Sequence, residues 1–201
     1  MMHKHLTLLS GKHGIVLGSK SPRRVKLLTE TGVSFRQIIP GLEEKQINGE
    51  QPYEYAERLA RDKAILVSGQ LDENEIVIAC DTVVVLGDVV LGKPNDVEEA
   101  VKILSSLSGK KHVVCTALAI GNRSDILASG YELTGVRFNE VDETKIREYI
   151  ATGEPMDKAG AYGIQGMGAF LVDSIEGNLD TVIGFPRMLL EKLAQEVMEQ
   201  N

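Results

Sequence analysis

A mixed α/β fold is the class this sequence predicts, and three observations predict it. Segments of helical period alternate with Val/Ile-rich runs of strand length. Two long strand patterns, 111–121 and 125–138, are separated only by Gly121-Asn122 and read as an antiparallel pair. No internal repeat and no flexible linker interrupts the 201 residues, so they suit one compact domain or two lobes sharing a sheet.

Each element has a local reason. Gly14-Ile15-Val16-Leu17 is a short apolar strand feeding a helical pattern that opens at Val25-Lys26-Leu27-Leu28. Ser21 stands at the N-cap of that helix and Pro22 at its first position, where a missing N–H costs nothing. The helix is expected to stop near Gly32, and 33–39 reads as a strand broken by Pro40-Gly41. A second helix from about Pro52 to Gly69 buries Ala56, Leu59, Ala60, Ala64 and Val67. Residues 75–91 form a hairpin turning at Gly87-Asp88. Asp96 to Leu107 is helical, and Asp142 caps a helix running to about Thr152. A Gly-rich loop over 157–168, a strand near 169–175 and a terminal helix from about Pro186 complete the chain.

Composition sets the outer limits. A hydrophobic content of 43% supports a sizeable core, and a formal net charge of −7 disfavours nucleic acid and anionic membranes as large-surface partners. Cys80 and Cys115 lie in apolar runs and read as buried free thiols. No C-x-x-C or H-E-x-x-H pattern occurs. His3, His5 and His13 fall in a stretch that reads as a frayed polar terminus, so 1–13 is expected to be an N-terminal extension and 14–201 a single domain. No stretch suggests a secretory signal or a membrane span, which leaves a cytoplasmic protein as the default.

The chemistry-bearing residues begin at the first helix start. Its free amide donors meet the hydroxyls of Ser19 and Ser21 and the cations of Lys20, Arg23, Arg24 and Lys26, a seat for a phosphate-bearing anion. An ordinary capped surface helix with solvated charges is the competing reading. The stretch from Gly14 to Ser21 nearly matches G-x-x-x-x-G-K-S/T, but Ser19 replaces the second Gly and Ile-Val-Leu reads as strand, so a P-loop is rejected. Asp81 interrupts an apolar strand and needs a partner, whether as a buried salt bridge, a backbone acceptor, a metal ligand or a general base. Lys63 falls on the apolar face of its helix, where it either snorkels out or reaches into a cleft. Glu43 and Glu44 sit in a polar loop, and Lys93 is held extended before Pro94. The G-x-x-G-x-G pattern from Gly163 to Gly168 lacks the strand-then-helix context of a dinucleotide fingerprint. Its glycines allow close backbone approach to a flat ligand, and Gln165 offers the amide donor and acceptor that read a nucleobase edge. Together these residues point to an enzyme acting on a phosphorylated small molecule.

Ser19-Lys20-Ser21-Pro22-Arg23-Arg24, Asp81-Thr82, Gly92-Lys93-Pro94 and the run from Lys158 to Gly168 occur in the order found in the Maf family of nucleotide pyrophosphatases, which this chain resembles from about residue 15 to its last helix. The form Ala159-Gly160-Ala161-Tyr162-Gly163-Ile164-Gln165-Gly166 looks like the branch that hydrolyses dTTP and UTP. Departures are small: Gly18 stands where alanine is common, and Cys80 where a small residue precedes the aspartate. The resemblance implies two lobes around a cleft, an architecture similar to that of the ITP pyrophosphatases, and a homodimer. It implies cleavage between the α and β phosphates with a divalent cation such as Mg2+ or Mn2+. Carried over by position, Asp81 is the implied proton acceptor or metal ligand, and Glu44 the metal-linked acid of its pair. Arg23, Thr82 and Gln165 match positions tied to base selectivity, and Ser19, Ser21, Arg24, Lys63 and Lys93 fit triphosphate binding. Two alternatives stand beside this expectation: a nucleotide-binding regulator of cell division without essential catalysis, and a purine triphosphate substrate.

Overall fold

A computed structural model describes residues 3–200, and the chain divides into two compact units. One comprises residues up to Asp81, Thr116–Glu132 and the segment from Gly184 onward; the other comprises Thr82–Cys115 and Leu133–Ile183. Three long strands, β3 (Glu75–Leu86), β5 (Lys111–Gly121) and β6 (Ile126–Phe138), contribute residues to both.

In the first unit the strand order is β2 (Phe35–Ile38), β1 (Gly14–Gly18), β3, β5, β6. β1 pairs parallel with both neighbours, Leu17 opposite Gln37 and Ile78. Parallel pairing requires a crossover, and α2 (Pro22–Thr29) supplies it between β1 and β2, with α3 (Pro52–Ser68) between β2 and β3. The α2 start follows the sequence expectation in position, with Ser21 extended at the N-cap and Pro22 first, but the Ser21 side chain makes no cap bond. Instead the Ser21 amide donates to Ser19 Oγ at 3.2 Å. The helix ends at Thr29, and Gly32 closes the following turn at φ 81°.

The N-terminal histidines do not belong to a frayed end. Residues Lys4–Lys12 form α1, which packs on the terminal helix α7 (Arg187–Glu199) and buries Leu6 and Leu9 completely. Removing two leucine side chains from water contributes roughly 1.5–3 kcal/mol each, enough to hold a short helix down. α1 has no side-chain cap of its own; the Glu191 carboxylate of α7 accepts from the amides of His5 (2.7 Å) and Leu6 (3.1 Å) instead.

The second unit carries the order β4 (Val89–Leu91), β3, β5, β6, β7 (Val172–Glu176), antiparallel between β3 and β4 and between β6 and β7. The hairpin turns at Gly87, φ 61°, as its sequence requires. α4 (Val97–Leu107) and α5 (Glu143–Ala151) are capped by Asp96 and Asp142, whose carboxylates accept from the amides of Glu99 (2.8 Å) and Lys145 (2.9 Å). The stretch expected to be a plain Gly-rich loop winds into three short 3-10 turns, Glu154–Asp157, Ala159–Ala161 and Gly166–Leu171. A short helix α6 (Leu179–Ile183), which the sequence pattern did not signal, follows β7. This unit's core joins Val84, Leu104, Val136, Phe138, Ile146, Tyr149 and Tyr162. Among the described residues no helix is long and apolar enough to cross a membrane.

Candidate functional site

The position of Asp81 follows from where the parallel pairing stops. β1 ends at Gly18, opposite Ala79, while β3 runs on. Asp81 therefore lies two residues past the last β1 partner, on the same face of β3 as Val77 and Ala79. α3 covers that face: a methyl group on Gly18 would stand 3.1 Å from Val77, 3.3 Å from Ala79 and 3.5 Å from Val67 of α3. Gly18 is thus the residue that lets helix and strand approach. Lys63, one turn before Val67 on that helix face, is then brought to Asp81.

The lysine does not snorkel. Lys63 is 7% exposed and Asp81 5% exposed, and the Lys63 ammonium donates to Asp81 Oδ1 and, at 2.6 Å, to Glu44 Oε1. Of the two adjacent glutamates only Glu44 joins this cluster; Glu43 pairs with Lys45 at 2.7 Å on the surface. Burial pushes the Asp81 carboxyl above its ordinary range, and the Glu44 charge adds to that, while the Lys63 ammonium and the Arg24 guanidinium pull it down. Cys80 is inert by comparison: its buried thiol is pushed up to about 11. Tyr55, eight residues before Lys63 on α3, is also buried, and its hydroxyl is pushed up by burial and by the charges of Asp81 and Glu44. Tyr55 was legible from the same helical period that marks Lys63, since both lie on the buried face of α3.

The anion seat of the sequence analysis is more ordered than a loose basic cluster. Ser19 is buried, and its carbonyl accepts from Gln37 Nε2 at 2.6 Å. The Arg24 guanidinium folds back on the backbone, Nε to the Gly184 carbonyl (2.9 Å) and one terminal nitrogen to the Cys80 carbonyl (2.8 Å) and Ser19 Oγ (3.3 Å). Arg24 consequently ties the end of β1, the α2 start and the residue before Asp81 into one piece. Arg23 and Ser21 are half-buried, and Lys20 and Lys26 are exposed.

Thr82, Lys93 and Gln165 belong to the second unit. Thr82 follows Asp81 in β3 and faces the opposite side of the strand. The Gly92 carbonyl accepts from the Gly160 amide at 3.0 Å, which joins the Gly92-Lys93-Pro94 loop to the Lys158–Gly160 turn. Gly160 is obligatory there: its φ is 70°, and a Cβ would press on Val84 at 2.8 Å. Lys93 is exposed, as is Gln165 in the short segment between two of the 3-10 turns. The preceding Tyr162 is fixed in the core, its hydroxyl 2.8 Å from His112 Nε2 and its ring edge-on to Phe138 at 4.8 Å.

A divalent cation would find oxygen donors at Glu44 and Asp81, which already converge on one positive group in Lys63. Two carboxylates suit a hard cation that completes its shell with phosphate oxygens and water. No group of three metal-ligating side chains exists among the described residues.

Known proteins supply an independent line. The family described as Maf-like protein matches residues 14–197. A dTTP/UTP pyrophosphatase of Aquifex aeolicus is 40% identical over 183 residues, covering 91% of this chain and 95% of the relative. One of Shewanella denitrificans is 43% identical over 194 residues, covering 92% and 97%, and one of Escherichia coli is 42% identical over 172 residues, covering 86% and 87%. Among solved structures, a nucleoside-triphosphatase (dITP/XTP pyrophosphatase) of Mycobacterium abscessus is 14% identical, covers 93% of this chain and 95% of its own, and aligns with a TM-score of 0.45.

Proposed function

The chain belongs to the Maf family, and from that premise we propose that it hydrolyses dTTP and UTP to the nucleoside monophosphate and pyrophosphate. The observation that carries this reading beyond the resemblance is the buried Asp81 carboxylate, held on Lys63 beside Glu44 at the end of parallel strand pairing. Parallel strands of α/β sheets bind ligands outside their carboxyl ends, and the carboxyl end of β1, at Gly18, lies beside Asp81.

In the proposed reaction Asp81 takes a proton from water. The water oxygen bonds to the α phosphorus, the bond from that phosphorus to the α–β bridging oxygen breaks, and pyrophosphate leaves with that oxygen. Burial favours this role by keeping the carboxyl proton-seeking, and Lys63 fixes its orientation. Glu44 and Asp81 would hold a divalent cation, which when bound neutralises phosphate charge and acidifies water. Ser19, Ser21, Lys93 and the α2 amides act on the triphosphate, Arg23 and Thr82 join Gln165 in base selection, and one well-placed donor to developing charge is worth roughly 3 kcal/mol. Arg24 supports them as a brace that keeps its charge near Asp81. Uracil and thymine present acceptor, N–H donor and acceptor along one edge, and the Gln165 amide complements part of that pattern. A homodimer and a cytoplasmic setting belong to the same reading.

The test is turnover of a nucleoside triphosphate panel with Mg2+ or Mn2+, with pyrophosphate and orthophosphate release measured separately. Pyrophosphate from dTTP and UTP above all others is the expected result. Orthophosphate alone would contradict cleavage at the α–β anhydride. Binding without release would favour the regulator.

A further inference from the structure

The Gly163–Gly168 pattern has a physical explanation that ligand approach does not supply. Its glycines are shaped around the side chains of Glu154 and Tyr149. A Cβ on Gly163 would stand 3.0 Å from Glu154 Oε1, and one on Gly166, at φ 88°, 3.0 Å from Glu154 Oε2. A Cβ on Gly168 would collide with the Tyr149 hydroxyl and the Gly163 carbonyl at 2.5 Å each. These positions stay empty because the Glu154 carboxylate reaches into the loop. It accepts from the Met167 amide at 3.0 Å, the Gly168 amide at 3.3 Å and the Tyr149 hydroxyl at 2.8 Å. The same hydroxyl accepts from the Gly163 amide at 3.0 Å. One carboxylate and one phenol therefore bind the backbone on both sides of Gln165.

We infer that Glu154 is a positioning residue for base selection: its carboxylate, with the Tyr149 hydroxyl, holds the loop in the conformation that presents the Gln165 amide to the pyrimidine. This rests on the proposed reading of Gln165 as a base contact. Three of the six residues from Gly163 to Gly168 are glycine, so the loop has more backbone freedom to lose than most. A loop of that composition holds a fixed amide only if its own N–H groups are tied down. Glu154 does this while leaving the Gln165 side chain exposed. Burial of Glu154 works against its charge, but the Tyr149 hydroxyl and the Met167 and Gly168 amides more than offset it, and the carboxyl stays below its ordinary range. The clasp is therefore ionised throughout the neutral range.

The experiment is a double-mutant cycle in the full chain with Glu154→Gln and Gln165→Ala, reading kcat and KM for UTP, dTTP and GTP. Glutamine keeps the size of Glu154 but offers one carbonyl where two amides and a hydroxyl need acceptors. Glu154→Gln is expected to lower the pyrimidine-to-purine ratio of kcat/KM by roughly tenfold, the scale of one hydrogen bond to a charged group. The loss should appear as a higher KM for UTP and dTTP with kcat little changed, and it should vanish in the Gln165→Ala background. Tyr149→Phe, which leaves the carboxylate in place, should shift selectivity in the same direction by a smaller factor. Unchanged selectivity in Glu154→Gln, an equal fall in kcat for every nucleotide, or a full additional loss in the Gln165→Ala background would each overturn the inference. If Gln165→Ala alone leaves selectivity intact, the base-contact reading itself fails, an outcome distinct from the others.

Discussion

The Lys63 cluster and the Gln165 loop hold functional groups in opposite ways. At Lys63 the side chains proposed to act are themselves the structural members: Asp81 and Lys63 are buried, and each is the other's partner. At Gln165 the side chain proposed to act is exposed, and other residues hold the backbone on either side of it, at Gly163, Met167 and Gly168. The difference fits the two tasks. A proton acceptor benefits from burial that perturbs its affinity for protons, whereas a base reader must stay free to meet a ligand in water and needs only a fixed starting point. Damage should therefore spread differently. A change at Lys63 or Asp81 affects stability and chemistry together, while a change around Gln165 separates selectivity from both.

The largest effects that test this contrast lie in the buried pair. Asp81→Asn keeps the size and a hydrogen-bond acceptor for Lys63 but cannot take a proton, so turnover should fall on the order of 10³-fold. Nucleotide affinity should survive, as measured by equilibrium binding. Lys63→Met instead strips the shared cation from two converging carboxylates. Breaking a buried pair from one side costs about 3 kcal/mol, which in a chain of this length is about 10 °C in Tm. A Lys63→Met protein that melts at the normal temperature would show that the pair does not bear on the fold and would remove the contrast.

Much of this arrangement was legible in the sequence, and the gaps have physical causes. Lys63 stood out because a charge on an apolar helical face breaks a period, and Asp81 because a charge in an apolar strand breaks a run. Both are violations of local patterning, which is how a functional residue shows itself in one dimension. The bracing part of Arg24 was not legible, because it depends on the carbonyls of Cys80 and Gly184, and Gly184 is 160 positions away. Glu154 gave no signal, since a glutamate after a Gly in a polar stretch violates nothing. The glycines it shapes were visible, but their cause was not. The N-terminal helix was missed because His3, His5 and His13 set the impression of a polar tail, while Leu6 and Leu9 are too few to show a period.

A smaller effect probes how Tyr162 is fixed just ahead of the Gln165 loop. His112 is 2% exposed, and burial holds its imidazole down at about 4, against 6.5 in the unfolded chain. The unfolded state then binds more protons than the folded one between those values. Stability supported by neutral His112 is complete above about pH 6.5 and is lost as pH falls toward 4, on the order of 3 kcal/mol in total. His112→Phe should cost stability at pH 7, because the Tyr162 hydroxyl loses its partner, yet decline less than the parent between pH 7 and 4. Chemical denaturation at several pH values measures this; parallel declines in the two proteins would show that His112 is not the group titrating.

The smallest effect supplies the control for the loop clasp. Glu191 does with α1 what Glu154 does with the Gln165 loop, a carboxylate accepting two backbone amides, with the His5 ring nitrogen 2.9 Å away as a third partner. Burial raises the Glu191 carboxyl, and the amides of His5 and Leu6 with the His5 ring outweigh that, leaving it below its ordinary range. The helix it caps carries no residue of the proposed chemistry. Glu191→Gln should thus cost about 1 kcal/mol, the value of a helix cap, or about 3 °C in Tm, with kcat, KM and pyrimidine selectivity unchanged. Set beside Glu154→Gln, this separates two consequences of the same local chemistry. If both variants lose selectivity, the effect of Glu154 is a general loosening of the fold. If only Glu154→Gln does, the carboxylate beside Gln165 acts through the residue it positions.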